Sequence, residues 1–200
     1  MDALAVFVHK DNPIKALSLT QVDAIFSKSR RRGGKEIKTW GQLGLTGEWA
    51  DKSISLYGRN SASGTYGFFK EVALKNGDYK DEVKEQPGSS SVVLGCSVDR
   101  YAIGYSGIGY ATSTVRAVPL SEEDGAAPVA ATAENAYSGA YPLARFLFVY
   151  INRAPGKPLD PIVKEFVKLM VSKEGQNAVV KDGYFPIPSS VAREELAKIN

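Results

Sequence analysis

The residues with the clearest capacity for chemistry are Arg59-Asn60-Ser61-Ala62-Ser63-Gly64-Thr65. An arginine presents a planar fork of donors that keeps its charge at any working pH and matches the oxygens of an oxyanion. Ser63 and Thr65 add hydroxyls on either side of Gly64, where a ligand can approach the backbone closely. Such a set donates hydrogen bonds and supplies no acid–base pair, so it suits reversible anion binding. Charge-assisted hydrogen bonds contribute roughly 1.5–3 kcal/mol each. Three of them approach the scale of micromolar binding, about 8 kcal/mol, before association costs. The plainer alternative is that Ser63 only caps a helix and Arg59 pairs with a surface carboxylate.

Other chemistries find little support. The chain holds one histidine, His9, and one cysteine, Cys96, so it has neither a histidine-based metal cluster nor an internal disulfide. The phosphate loop G-x-x-x-x-G-K-[ST] is absent. Ser61-Ala62-Ser63-Gly64 lacks the first glycine of a nucleophile elbow, and neither serine has an assignable histidine. No catalytic residue, metal ligand or cofactor is assigned, and the chain is not read as an enzyme. Cys96 closes the apolar run Val92-Val93-Leu94-Gly95-Cys96 and reads as a buried structural thiol. The net charge of +3 favours anionic partners slightly without implying nucleic acid. Arg30-Arg31-Arg32, followed by Gly33-Gly34-Lys35, reads as a solvated loop with too few aromatics nearby for a base-stacking stripe. No apolar run is long enough to span a membrane. Met1 to Val8 enters a strand-like stretch without a basic leader, so neither a signal peptide nor a lipidation motif is read.

The anion-binding set needs elements to position it. Ile54, Leu56 and Tyr57 predict a strand ending at Gly58, and a helix follows over 63–75, with Phe68, Phe69, Val72 and Ala73 as its apolar face. Ser63 then stands at a helix tip, where backbone N–H groups favour an anion. Asn60 and Ser61 are rim candidates. Gln86-Pro87-Gly88 breaks the chain, and Ser89, Ser90 and Ser91 are expected to cap a helix to about Val98; they become further contacts if that tip faces the ligand. Strands are expected at 3–8, 101–105 and 115–120, and a helix capped by Ser18 or Thr20 carries Val22, Ile25 and Phe26. The apolar run Phe146 to Tyr150 predicts a strand over 145–151 buried on both faces. Asp160-Pro161 opens a helix with Ile162, Val163, Phe166, Val167 and Met170 at helical spacing, and further helices are expected at 173–180 and 190–199. Strands alternating with helices define an α/β class.

The segment Arg59 to Thr65 resembles the phosphate-holding motif of the phosphate-binding proteins, the substrate-binding components of phosphate ABC transporters. The likeness extends along the chain. It includes Asn12-Pro13 with Leu19 to Phe26, Thr39-Trp40 to Leu43, Ala102-Ile103-Gly104-Tyr105 to Tyr110-Ala111, Tyr141-Pro142-Leu143, and Gly183-Tyr184-Phe185-Pro186-Ile187-Pro188. The resemblance implies a periplasmic-binding-protein-like type II lobe, with a central mixed sheet flanked by helices, plus C-terminal elements of a partial first lobe. Residues 10–144 would be the second lobe, and 1–9 and 145–200 the hinge-crossing strands and the C-terminal part of a first lobe that is otherwise missing. It further implies that Arg59, Ser63, Gly64 and Thr65 hold inorganic phosphate without catalysis, for delivery to an ABC transporter permease. The parent protein would be periplasmic or an extracellular membrane-anchored lipoprotein. The family motif often carries an aspartate two residues after the arginine, where this chain has Ser61. Apolar C-terminal segments without their cover would favour a homodimer or strand exchange. Two rival readings are a protein-interaction module, with Tyr57, Tyr66, Phe69 and Tyr105 as packing residues, and a binder of another tetrahedral oxyanion such as sulfate.

Overall fold

A computed structural model describes residues 1–199. They fall into two units, Ala3–Ala144 and a second made of Met1–Asp2 with the residues from Arg145 onward.

The larger unit is built on a mixed sheet flanked by helices, in agreement with the expected α/β class. Its elements are β1 (Asp2–His9), β2 (Leu17–Ser18), α1 (Leu19–Phe26), β3 (Ser55–Arg59), α2 (Gly64–Val72), β4 (Lys84–Gln86), α3 (Ser89–Val98), β5 (Ala102–Gly107), β6 (Val115–Val118), β7 (Leu120–Ser121) and α4 (Ala133–Tyr137). The sheet runs in the order β4-β3-β5-β1-β6. β3 is parallel to β4 and β5, whereas β1 is antiparallel to β5 and β6. β1 sits between two neighbours and is apolar at nearly every position; Ala3 to Val8 are all fully buried.

The two sheet faces are covered differently. Gly95 of α3 lies against the Tyr57 ring, and Gly104 of β5 lies beneath Cys96 and Val92 of α3. Tyr105, next along β5, must point the other way. There it stacks on Phe69 of α2, with centroids 3.9 Å apart, and meets the edge of Phe26 of α1 at 5.7 Å. α3 therefore covers one face and α1 with α2 the other.

Local chemistry sets the helix ends. Ser18 caps α1 as expected: its Oγ accepts from Gln21 N, while Gln21 Oε1 accepts from Ser18 N. α2 stops earlier than the expected 75, because Lys75 and Asn76 adopt the left-handed conformation. The basic loop is solvated as expected at Arg31 and Lys35, which are exposed, and departs from that state at Arg32. Arg32 turns inward and donates from Nε to Ala73 O at 2.8 Å and from Nη2 to Val72 O at 2.7 Å. A cation thus closes the negative end of α2.

In the smaller unit α5 (Pro161–Val171), α6 (Lys173–Lys181) and α7 (Ser189–Ala197) pack together, with Asp160 capping α5 ahead of Pro161. The expected strand over 145–151 is overturned. Regular structure there is limited to the two-residue strand Ala144–Arg145, and the run that follows is irregular and exposed, Phe148 by 73% and Tyr150 by 92%. A strand buried on both faces needs ladder partners, and none of the described residues pairs with Phe146 to Ile151. Ile162 on α5 is 81% exposed, so the helical apolar stripe there faces outward in part. Among the described residues no helix is long and apolar enough to cross a membrane.

Candidate functional site

The parallel strands create the site. β3 leads into α2 and returns as β4 on one side; β4 leads into α3 and returns as β5 on the other side of β3. β3 and β4 are parallel, so the helices that follow them, α2 and α3, both begin at the same edge of the sheet, on opposite faces and with crossovers in opposite directions. In α/β sheets that divergence opens a crevice where ligands bind, and two helix tips make it favourable to anions.

Arg59 is the last residue of β3 and reaches the start of α3. Its Nη1 donates to Ser89 Oγ at 2.7 Å, and its Nη2 donates to the Pro87 carbonyl at 3.3 Å. Its Nε is buried and has no hydrogen-bond partner among the described residues. An unpaired buried donor costs roughly 1–3 kcal/mol, so the guanidinium is suited to a further acceptor.

Ser63 caps α2, and its Oγ accepts from Thr65 N at 3.1 Å. The Thr65 amide is therefore used inside the cap. A hydroxyl that accepts still has its own proton to donate, so Ser63 Oγ keeps a donor proton. Gly64 is exposed, and a Cβ there would meet nothing within 4 Å, which leaves an open approach to the first turn. The preceding loop is tied by Asn60 N to Gln86 O at 3.2 Å and Ser63 N to Asn60 O at 3.0 Å. Asn60 is half-buried and Ser61 is exposed at the turn.

The expectation that Ser89, Ser90 and Ser91 cap α3 is corrected. Gly88 occupies the N-cap position, and the three serines form the first turn. Ser89 turns to Arg59, Ser90 is exposed and Ser91 is half-buried.

Several positioning residues carry no motif that sequence reading could use. Tyr79 OH donates to Tyr66 O in the first turn of α2 at 3.0 Å, and the two rings lie 4.6 Å apart. Burial pushes the Tyr79 phenol far up and Tyr105 up to about 12, so both stay neutral at ordinary pH. Ser106 of β5, fully buried, donates to Ser89 O at 3.3 Å. Cys96 is buried as expected, and desolvation pushes its thiol up to about 12. Beside Arg59 an open groove of about 570 Å³ is lined by Lys28, Tyr66, Tyr79, Lys80 and Glu85 among others. Its lysines are already engaged, Lys28 with Asp81 at 2.9 Å and Lys80 with Glu36 at 3.5 Å. Among the described residues no cluster of histidine, cysteine and acidic side chains could hold a metal ion.

Residues 1–174 match the PBP superfamily domain. The chain belongs to this superfamily. Within it, the chain is 58% identical over 200 residues to a phosphate-binding protein PstS of Pseudomonas aeruginosa, a match covering all of this chain and 62% of that relative. It thus spans less than two thirds of that protein's length. The crystal structure of a possible phosphate binding protein from Planctomyces limnophilus superimposes with a TM-score of 0.76 at 28% identity, over 99% of this chain and 70% of that one. A candidate phosphate ABC transporter substrate-binding protein with bound phosphate, from Clostridium perfringens, does so at 0.72 and 28% identity, over 94% and 69%. The superfamily likeness therefore covers the sheet, both helix tips and the loop that joins Arg59 to Thr65.

Proposed function

We propose that this chain is the phosphate-binding lobe of an ABC-transporter substrate-binding protein, and that it binds inorganic phosphate reversibly, without catalysis. The observation that carries the reading is Arg59 held at the carboxyl end of β3 against the tip of α3, four residues before Ser63 caps α2. Arg59 is the charge anchor, Ser63 and Thr65 donate hydroxyls, Gly64 permits close approach, and Asn60 and Ser61 form the rim. Two relatives named for phosphate support the choice of anion. Residues 10–144 act as the second lobe, with 1–9 and 145–200 as hinge-crossing and first-lobe elements. In the whole protein the partner is an ABC permease and the location is the periplasm or the outer face of a membrane. Titration calorimetry on protein stripped of phosphate tests this, with sulfate as the control. Saturable heat with phosphate, at least tenfold weaker in Arg59→Ala, is expected; each charge-assisted bond contributes roughly 1.5–3 kcal/mol. Equal affinity in the variant removes Arg59 from the site, and equal affinity for sulfate favours a general oxyanion binder.

The exposed Phe146 to Ile151 run favours a second property, homodimerisation or strand exchange. Light scattering is expected to detect a concentration-dependent dimer. A strict monomer at high concentration excludes it.

A further inference from the structure

The hydrogen-bond partners that hold Arg59 are neutral. Nη1 donates to the Ser89 hydroxyl and Nη2 to the Pro87 carbonyl. The ion pairs formed among the described residues do not involve Arg59, although carboxylates pair with Arg32, Arg100 and Arg145 elsewhere. Resting on the phosphate-lobe reading above, we propose that Ser89 is a positioning residue that aims the guanidinium at the helix tips through a neutral bond, so that its charge reaches the anion uncompensated.

The geometry supports a fixed hydroxyl rather than a mobile one. Ser89 is the first residue of α3, and its carbonyl accepts from Ser106 Oγ at 3.3 Å, so the buried sheet locates it. At 2.7 Å the bond to Nη1 is in the short range of charge-assisted hydrogen bonds. It orients one arm of the fork while leaving the buried Nε without a protein partner among the described residues. A carboxylate in the same place would orient Arg59 equally well. It would also cancel the field that attracts an anion and repel the anion directly. A serine separates the two effects: it supplies direction without charge.

Two substitutions divide these effects and a third is the control. Ser89→Ala removes direction and keeps charge; Ser89→Asp keeps direction and cancels charge; Ser89→Thr preserves both. The readout independent of ligand is the Arg59 Nε–Hε resonance of the 15N-labelled 200-residue chain, assigned by its loss in Arg59→Lys. In the parent and in Ser89→Thr a single protected resonance is expected. In Ser89→Ala its hydrogen exchange should accelerate at least tenfold, and phosphate binding should weaken about tenfold, the scale of one such bond. In Ser89→Asp the resonance should stay protected while phosphate binding falls at least tenfold. An unchanged resonance in Ser89→Ala overturns the positioning role. Undiminished phosphate binding in Ser89→Asp overturns the role of neutrality. If the parent chain takes up no phosphate but Ser89→Ala still frees the Arg59 resonance, the positioning role stands and the phosphate reading fails.

Discussion

Arg59 and Ser63 were legible in the sequence because their types alone restrict what they can do: one is a permanent cation, the other a favoured helix cap. Ser89 was legible as a serine near a helix start, yet its actual task, holding Arg59, depends on β4 placing α3 beside β3. The Thr65 amide shows the opposite case, a donor that the cap consumes. Cys96 was legible from its apolar neighbours, and its burial has a measurable consequence. The native thiol is pushed up to about 12, whereas an unfolded thiol titrates near about 8.5. The native state therefore keeps a proton that the unfolded chain gives up. The stabilising contribution is whole below the unfolded value and is lost as pH rises through the folded one. Tyr105, also pushed up to about 12 by burial, acts in the same direction. Denaturant midpoints are expected to fall steadily above about pH 9, with a shallower fall in Cys96→Ala. Identical slopes in the two proteins would mean that the thiol titrates alike in both states. Native Cys96 should also resist alkylation at pH 8, and rapid labelling of folded protein would contradict its burial.

At the scale of elements, the site depends on α3 lying flat against β3. A Cβ on Gly95 would stand 2.5 Å from the Tyr57 ring, too close for either element to keep its place. Gly95→Ala is expected to destabilise the fold by about 1–3 kcal/mol, the usual cost of overpacking, and to weaken phosphate binding by displacing Ser89. Unchanged melting and binding would show that the helix can shift at no cost. Gly58→Ala is the companion on the opposite face, where a Cβ would meet Tyr105 Cε1 at 2.9 Å and Val83 Cγ1 at 3.0 Å, one residue before Arg59. Most elements were readable from periodicity, including α1, β3, α2 and α5. β4 was not, because Lys84–Gln86 is a short polar edge strand with no apolar alternation. The run at 145–151 was misread for the converse reason. Its residues have strong strand preference, but preference without a paired neighbour leaves an irregular segment.

At the scale of the whole molecule, the chain spans 62% of the length of its P. aeruginosa relative, and its apolar surface is uneven. The larger unit packs Phe26, Phe69 and Tyr105 together on one face of its sheet and Trp40 edge-on to Trp49 elsewhere, whereas Phe146 to Ile151 and part of α5 face outward. The Asn152 to Pro158 turn carries proline, glycine and charge together, yet it lies within the smaller unit, whereas the division falls between Ala144 and Arg145. Arg153 and Lys157 are exposed there without regular structure. Limited trypsin digestion is expected to cut first at these two residues and leave a folded fragment containing the sheet. First cleavage within α2 or α3 would contradict the packing of these helices on the sheet. The measurement that bears most directly on the proposed function is a phosphate titration of the 15N-labelled, phosphate-stripped chain, followed by backbone amide resonances. Saturable shifts grouped at residues 59–65 and 88–91, absent in Arg59→Ala, are the expected result. A folded chain in which those amides do not respond, or in which phosphate perturbs only the basic loop at 30–35, would contradict an anion site between the tips of α2 and α3.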